Sequence, residues 1–295
     1  MAFLFPDKYI DPLTDFGFKR LFGTEPHKAL LIDFLNTLLP DHHDIQDVTF
    51  KNPESFGRTW GDRKAIFDIY CQTDSGERFI VEIQKAKQQF FKDRSVYYST
   101  FPIQQQARVG PWDYQLTAVY MVGVLDFIFD EHKHEDTLIH TVELKNQHCE
   151  VFYDKLKFIY IELPKFTKSL TELTSHTDKW LFVLRHLAQL EEPPTSLQEG
   201  VFNQLFEVAR IANFSEREQD MYQESLKIYR DNFNVTKTLI DESLQAGIEQ
   251  GIEQGIEQGI EQGVQQVARQ MKGAGLSTQD IARFTGLSEQ DIDRL

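Results

Sequence analysis

A chain of 295 residues with 41% hydrophobic and 13% aromatic side chains can build one large or two smaller cores, which excludes a disordered polypeptide. Its net charge of −15 argues against a surface that attracts polyanions everywhere. The charge is uneven, however: residues 1–110 carry 14 Lys and Arg against 15 Asp and Glu, whereas residues 111–295 carry 17 against 31. Cys71 and Cys149 lie in apolar segments and read as buried free thiols of a reducing compartment. The opening MAFLFPDKYIDP is too short in apolar residues for a signal peptide or anchor, and no later run approaches about 18 apolar residues. A cytoplasmic protein without membrane contact is expected.

In DPLTDFGFKRLFG, residues 11–23, Phe18, Leu21 and Phe22 follow helical spacing. Asp15 and Lys19 stand four apart on that helix, as a solvated ion pair or as an acid and base at the edge of a site. Pro26 opens a second helix with apolar Ala29, Leu30, Phe34, Leu35, Leu38 and Leu39, and Pro40 ends it. A short strand is expected over residues 47–51, then a loop over 52–57.

Ile66 to Gln84 reads IFDIYCQTDSGERFIVEIQ, two β-rich runs around the turn residues Asp74, Ser75 and Gly76, which predicts a hairpin. Alternation places Lys64, Ile66, Asp68 and Tyr70 on one face and Phe67, Ile69 and Cys71 on the other; Glu82 and Gln84 likewise share a face. Carboxylate and amide oxygens thus stand where the pattern calls for apolar side chains. Neighbouring strands bring such oxygens together, as a hard-metal site or as partners of a nearby cation.

A helix is expected over residues 87–107, through Phe90, Phe91, Arg94, Tyr97, Tyr98, Phe101 and Gln105, kinked or divided at Pro102. Its tyrosines read as core, and Arg94 as a phosphate grip or the partner of an acid such as Asp93 or Glu82. Residues 116–129 form a continuous apolar run, a strand buried on both faces, and residues 151–163 hold another. Between them DEHKHED, residues 130–136, reads as a solvated loop; as a zinc site it would lack further ligands. Amphipathic helices follow over residues 178–192 and 197–213, and Ser215 with Glu218 predicts a capping box for a third. That helix runs into GIEQGIEQGIEQGIEQGVQQ, residues 247–266, an oligomerisation stem or a linker. In the tail, Ser277 and Ser288 are expected N-caps of two short helices.

Asp68, thirteen intervening residues, then Glu82-Ile83-Gln84 resembles the PD-(D/E)xK nuclease superfamily, with Gln84 where most members have Lys. Together with DPLTDFGFKRLFG, IVEIQ, RSVYYST, Leu125-Asp126 and the Gly-rich repeat, it resembles the recombination-promoting nuclease/putative transposase family. The resemblance implies an α/β fold with a restriction-endonuclease-like mixed sheet flanked by helices and followed by an α-helical C-terminal region. It implies a nuclease domain over 1–165, a helical domain over 166–240, the repeat over 241–272 and a helix-turn-helix-like tail over 273–295. It further implies an endonuclease that hydrolyses DNA, with Mg²⁺ or alternatively Mn²⁺ held by Asp68 and Glu82. Gln84 would position water; Lys64 and Lys19 are candidates for the missing positive charge, and Asp15, more than Asp11, for an additional acid. Gln84 cannot act as a base, and this leaves an alternative: an interaction or regulatory protein that keeps the nuclease fold without its chemistry.

Overall fold

In the computed structural model, which describes residues 7–39, 44–55, 65–107 and 110–295, the Thr14 hydroxyl caps helix α1 (Asp15–Phe22) by accepting the Gly17 N–H. Helix α2 (Lys28–Leu38) follows and buries Leu30, Leu31, Phe34 and Leu35. The strands β1 (Val48–Phe50), β2 (Glu54–Ser55) and β3 (Ala65–Ile66) lead into the expected hairpin of β4 (Ile69–Thr73) and β5 (Arg78–Gln84). Gly76 closes its turn with φ of 90°, a backbone region open chiefly to glycine. Beyond it come α3 (Phe91–Gln104), β6 (Val119–Leu125), β7 (Ile139–Lys145) and β8 (Val151–Glu162).

Six strands form one mixed sheet in the order β1-β4-β5-β6-β8-β7, in which β5, β6 and β8 are parallel and the outer pairs antiparallel. All seven residues of β6 are buried because helices cover both faces. On one face Ile69, Cys71, Phe79, Val81, Val122, Val124, Ile159 and Ile161 share a core with Phe22 and Phe34. On the other, Tyr70, Ile80, Met121, Leu125, Phe158 and Tyr160 lie under α3.

The helices α4 (His176–His186) and α5 (Gly200–Ala209) pack into the first of these cores. Trp180 of α4 has no exposed surface; its ring lies 5.6 Å from Phe22, 5.6 Å from Phe34 and 5.1 Å from Phe202, and its Nε1 donates to Asp33 Oδ1 at 2.6 Å. The long helix α6 (Glu216–Gly273) starts at the expected capping box, Ser215 N–H donating to Glu218 Oε2 at 2.9 Å, and its first part buries Tyr222. One compact unit ends at Arg230.

A second unit comprises Asp231 to Leu295. In it the Gly-Ile-Glu-Gln repeat continues as helix, and the side chains of Ile248, Ile252, Ile256 and Ile260 are exposed. The tail forms α7 (Thr278–Thr285) and α8 (Glu289–Arg294), capped by Ser277 and Ser288 as expected. Ala268, Ile281 and Ile292 make its small core. Among the described residues no helix is long and apolar enough to cross a membrane.

Three local expectations need correction, and one strand is added. Strand β7 was not among the expected elements, because its side chains are largely exposed or half-buried and carry little apolar signal. In α3 the buried residues are Phe91, Ser95, Ser99, Phe101 and Pro102, so only part of the aromatic stripe is buried; small serines let the helix approach the sheet, while Tyr97 is exposed and Phe90 is 68% exposed before the first turn. Pro102 falls in the last turn and leaves the helix undivided. Cys149 is exposed at the turn between β7 and β8, so only Cys71 is a buried thiol.

Because α4 and α5 complete a core that α1, α2 and the sheet begin, a chain truncated after residue 165 should fail to give a cooperative thermal transition. Trp180→Ala in the full chain should cost about 3–5 kcal/mol in denaturant unfolding monitored by circular dichroism.

Candidate active site

The β4–β5 register pairs Ile69 with Val81, and one further step sets Asp68 opposite Glu82. There the ladder gives way to a reciprocal exchange. The Asp68 N–H donates to Glu82 Oε1 at 3.1 Å, and the Ile83 N–H donates to Asp68 Oδ2 at 2.8 Å. This interruption overrides the expected alternation: Phe67 packs beside Tyr70 on the α3 side, not with Ile69 and Cys71. Each carboxylate has one oxygen tied to backbone. Asp68 Oδ1 and Glu82 Oε2 have no donor among the described residues.

Both groups are unfavourable as anions. Burial, followed by the charge of Asp68, pushes Glu82 from an ordinary 4.5 up to about 8. Burial likewise raises Asp68, against the Ile83 N–H and the charges of Lys19 and Arg94. Glu82 is 5% exposed and Asp68 half-buried. An all-oxygen pair that resists carrying two negative charges fits a hard divalent cation, which removes the repulsion.

Asp15 and Lys19 form the ordinary i,i+4 pair, 2.6 Å apart and largely exposed, and their charges also act on Asp68. Asp11 is engaged elsewhere: Lys85 Nζ meets its Oδ2 at 2.8 Å. Lys64 lies outside the described residues.

Gln84 is buried with both ends of its amide bonded. Its Nε2 donates to the Ala86 carbonyl at 2.9 Å, and its Oε1 accepts from Arg94 Nη2 at 2.5 Å. Arg94 also donates to Gln88 Oε1 and lies 5.7 Å from the centre of the Tyr98 ring. The charge of Arg94 acts on both Asp68 and Glu82. Tyr98 packs edge-on against Phe67, its hydroxyl made less acidic by burial and then by the charge of Glu82. The sequence offers Arg94 as a phosphate grip or the partner of an acid and Tyr98 as core, but not Gln84 as Arg94's partner; their i,i+4 spacing puts Arg94 and Tyr98 on one helix face.

A carboxyl whose folded pKa exceeds its unfolded one contributes stability that is complete below the unfolded value and is lost as pH rises through the folded one. Metal-free protein should therefore lose on the order of 2–4 kcal/mol from this pair between about pH 5 and about pH 8. Thermal melts should show the loss in the wild type, a flatter profile in Glu82→Gln, and recovery on adding a divalent cation at the higher pH. Identical profiles for wild type and Glu82→Gln would contradict the pairing.

No curated protein and no solved structure matches the chain. The family model described as PD-(D/E)XK nuclease family transposase matches residues 12–238, a span that includes both carboxylates, Gln84, Arg94 and the helices that complete the core. PD-(D/E)XK nucleases typically use divalent metals. Because that match covers well over half of the chain, and the structure has a mixed sheet flanked by helices, the chain belongs to the PD-(D/E)XK nuclease family transposases.

Proposed function

We propose that this protein is an endonuclease that hydrolyses DNA phosphodiester bonds with Mg²⁺ as its cation, in the service of recombination or mobile elements. The observation that carries this reading is the Asp68–Glu82 pair, locked by reciprocal backbone hydrogen bonds, each carboxylate keeping one oxygen for a cation. Bound there, the cation would lower the pKa of water and offset charge developing on phosphoryl oxygens. Mn²⁺, with the same preference for oxygen donors, is the alternative.

The chain's own residues divide the work usually given to the motif lysine. Gln84 cannot take a proton or supply charge. It holds the guanidinium of Arg94, whose fork suits a phosphate and whose charge already acts on both carboxylates. A guanidinium offers only donors, so Arg94 orients and neutralises without acting as a base. Lys19, paired with Asp15 at the rim, adds a second cation that could meet the incoming backbone. The nearly neutral balance of residues 1–110 keeps the rest of that segment from repelling DNA.

Purified protein should nick supercoiled plasmid with Mg²⁺, and Asp68→Ala or Glu82→Ala should lower the rate by more than about 10²-fold. Arg94→Ala should lose on the order of 10²-fold and Arg94→Lys clearly less, while Gln84→Lys retains activity by supplying the charge directly. Equal nicking by wild type and Asp68→Ala would sink the proposal and favour an interaction protein that keeps only the fold.

In the same proposal the repeat helix is a self-association stem. Its period of four exceeds the 3.6 residues of an α-helical turn, so the apolar line drifts by about 40° per repeat and a partner following it must wind right-handed. A Cβ added at Gly247, Gly251, Gly255, Gly259 or Gly263 meets nothing within 4 Å in this chain, which leaves room for a second backbone. Sedimentation equilibrium should give an oligomer for the full chain and a monomer after Ile252→Lys and Ile256→Lys; two monomers would make the repeat a linker.

A further inference from the structure

The connection between β6 and β7 carries a second set of ligating side chains. His132 ends a short helical turn, Asp130–His132, and His140 is the second residue of β7. Their rings stack with centroids 3.9 Å apart and planes 15° from parallel. Below them Glu162, at the end of β8, has no exposed surface.

Its oxygens are shared out in an informative way. Oε1 accepts the Phe129 N–H at 2.8 Å and meets His132 Nδ1 at 3.0 Å. Oε2 meets His140 Nε2 at 3.1 Å and Lys165 Nζ at 2.7 Å. A carboxylate only accepts, so both imidazoles must donate to it. In neutral rings the opposite nitrogens, Nε2 of His132 and Nδ1 of His140, then carry the lone pairs. A buried carboxylate fixing the tautomer of two neighbouring histidines is the outer-shell arrangement of histidine metal sites.

The exposed carboxylate of Glu135 joins them: one ligand atom from each of His132, Glu135 and His140 lies within 4.8 Å of the others. We propose that His132, Glu135 and His140 bind a Zn²⁺ ion, with Glu162 as the buried acceptor that orients both imidazoles. Two nitrogens and a carboxylate oxygen suit zinc, with water as the fourth donor; the ring planes, 15° from parallel, would have to tilt further apart for both lone pairs to meet one ion. The ion would brace the connection that starts at Asp126. The same turn is tied to the segment carrying Arg94, since Asp130 pairs with Lys87 and Glu131 with Lys92. The site is therefore placed to steady that end of α3, independently of whether the Asp68–Glu82 pair cleaves DNA.

The test uses the full chain carrying Asp68→Asn and Glu82→Gln, stripped of metal and titrated with Zn²⁺ against a chromophoric chelator. One ion per chain is expected. His132→Ala and His140→Ala should each weaken binding by at least about 100-fold, and Glu162→Gln by about 10–100-fold. Co²⁺ in place of Zn²⁺ should give the visible absorption of a four-coordinate site, lost in both histidine variants. Glu135→Gln, on an exposed side chain, should weaken binding about 10-fold or more while leaving the metal-free melting temperature unchanged, which separates loss of a ligand from loss of fold. Absence of zinc, or equal affinity in the His132, His140 and Glu135 variants, would overturn the site.

Discussion

Two hydrogen bonds, from the Asp68 N–H to Glu82 and from the Ile83 N–H to Asp68, set the conditions for the rest of the site. They replace the next rung of the β4–β5 ladder, so the backbone stays satisfied where the strand stops. They also hold two carboxylates side by side in a place with little water. Such a pair cannot relax by swinging apart, and its repulsion is relieved only by a proton or a cation. Burial is the first cause of the weakened acidity of both groups, the charge of Asp68 adds to it at Glu82, and the same crowding of oxygens in a dry place suits a divalent ion.

The sheet supplies the rigidity this requires. β5 lies inside the sheet, with β4 antiparallel on one side and β6 parallel on the other, so Glu82 stands beside Gly123. A Cβ at Gly123 would meet Tyr160 Cδ1 at 3.1 Å and Phe91 Cζ at 3.6 Å, and its absence lets α3 settle close to the strands. That approach brings Arg94 over the end of β5. On the opposite face the aromatic packing of Trp180 with Phe22, Phe34 and Phe202 ties the helices after residue 165 to the sheet. The strand-bearing segment and the following helices thus share one core, and the more independent unit begins only at Asp231.

The substitution of Gln for Lys looks like a loss when the motif is read alone. In three dimensions the amide is the near end of a Gln84–Arg94 pair, and the positive charge arrives from α3 instead of β5. A lysine held by a flexible stem is replaced by a guanidinium held by a buried amide, stacked near Tyr98. In the proposed reading, the cationic role expected of one residue on the strand would fall to Arg94, ten positions later in sequence.

Local pattern was enough to read the hairpin, the buried β6, the capping boxes and serine caps, the continuing repeat helix and the carboxylates opposed across two strands. Each of these depends on short-range periodicity, turn chemistry or strand register, which a sequence states directly. Four things depended on tertiary structure: the break at Asp68, the serine face of α3, the partnership of Gln84 with Arg94, and the arrival of His140 and Glu162 beside His132. The charged run at residues 130–136 shows why. The side chains it meets, His140 and Glu162, stand on β7 and β8, brought back by sheet pairing, and β7 itself carries too weak an apolar signal to be seen before its neighbour is in place. Sequence determined which oxygens, nitrogens and charges the chain possesses and on which local faces they lie; only long-range packing decided which of them meet, because that choice rests on burial shared between segments far apart in the chain.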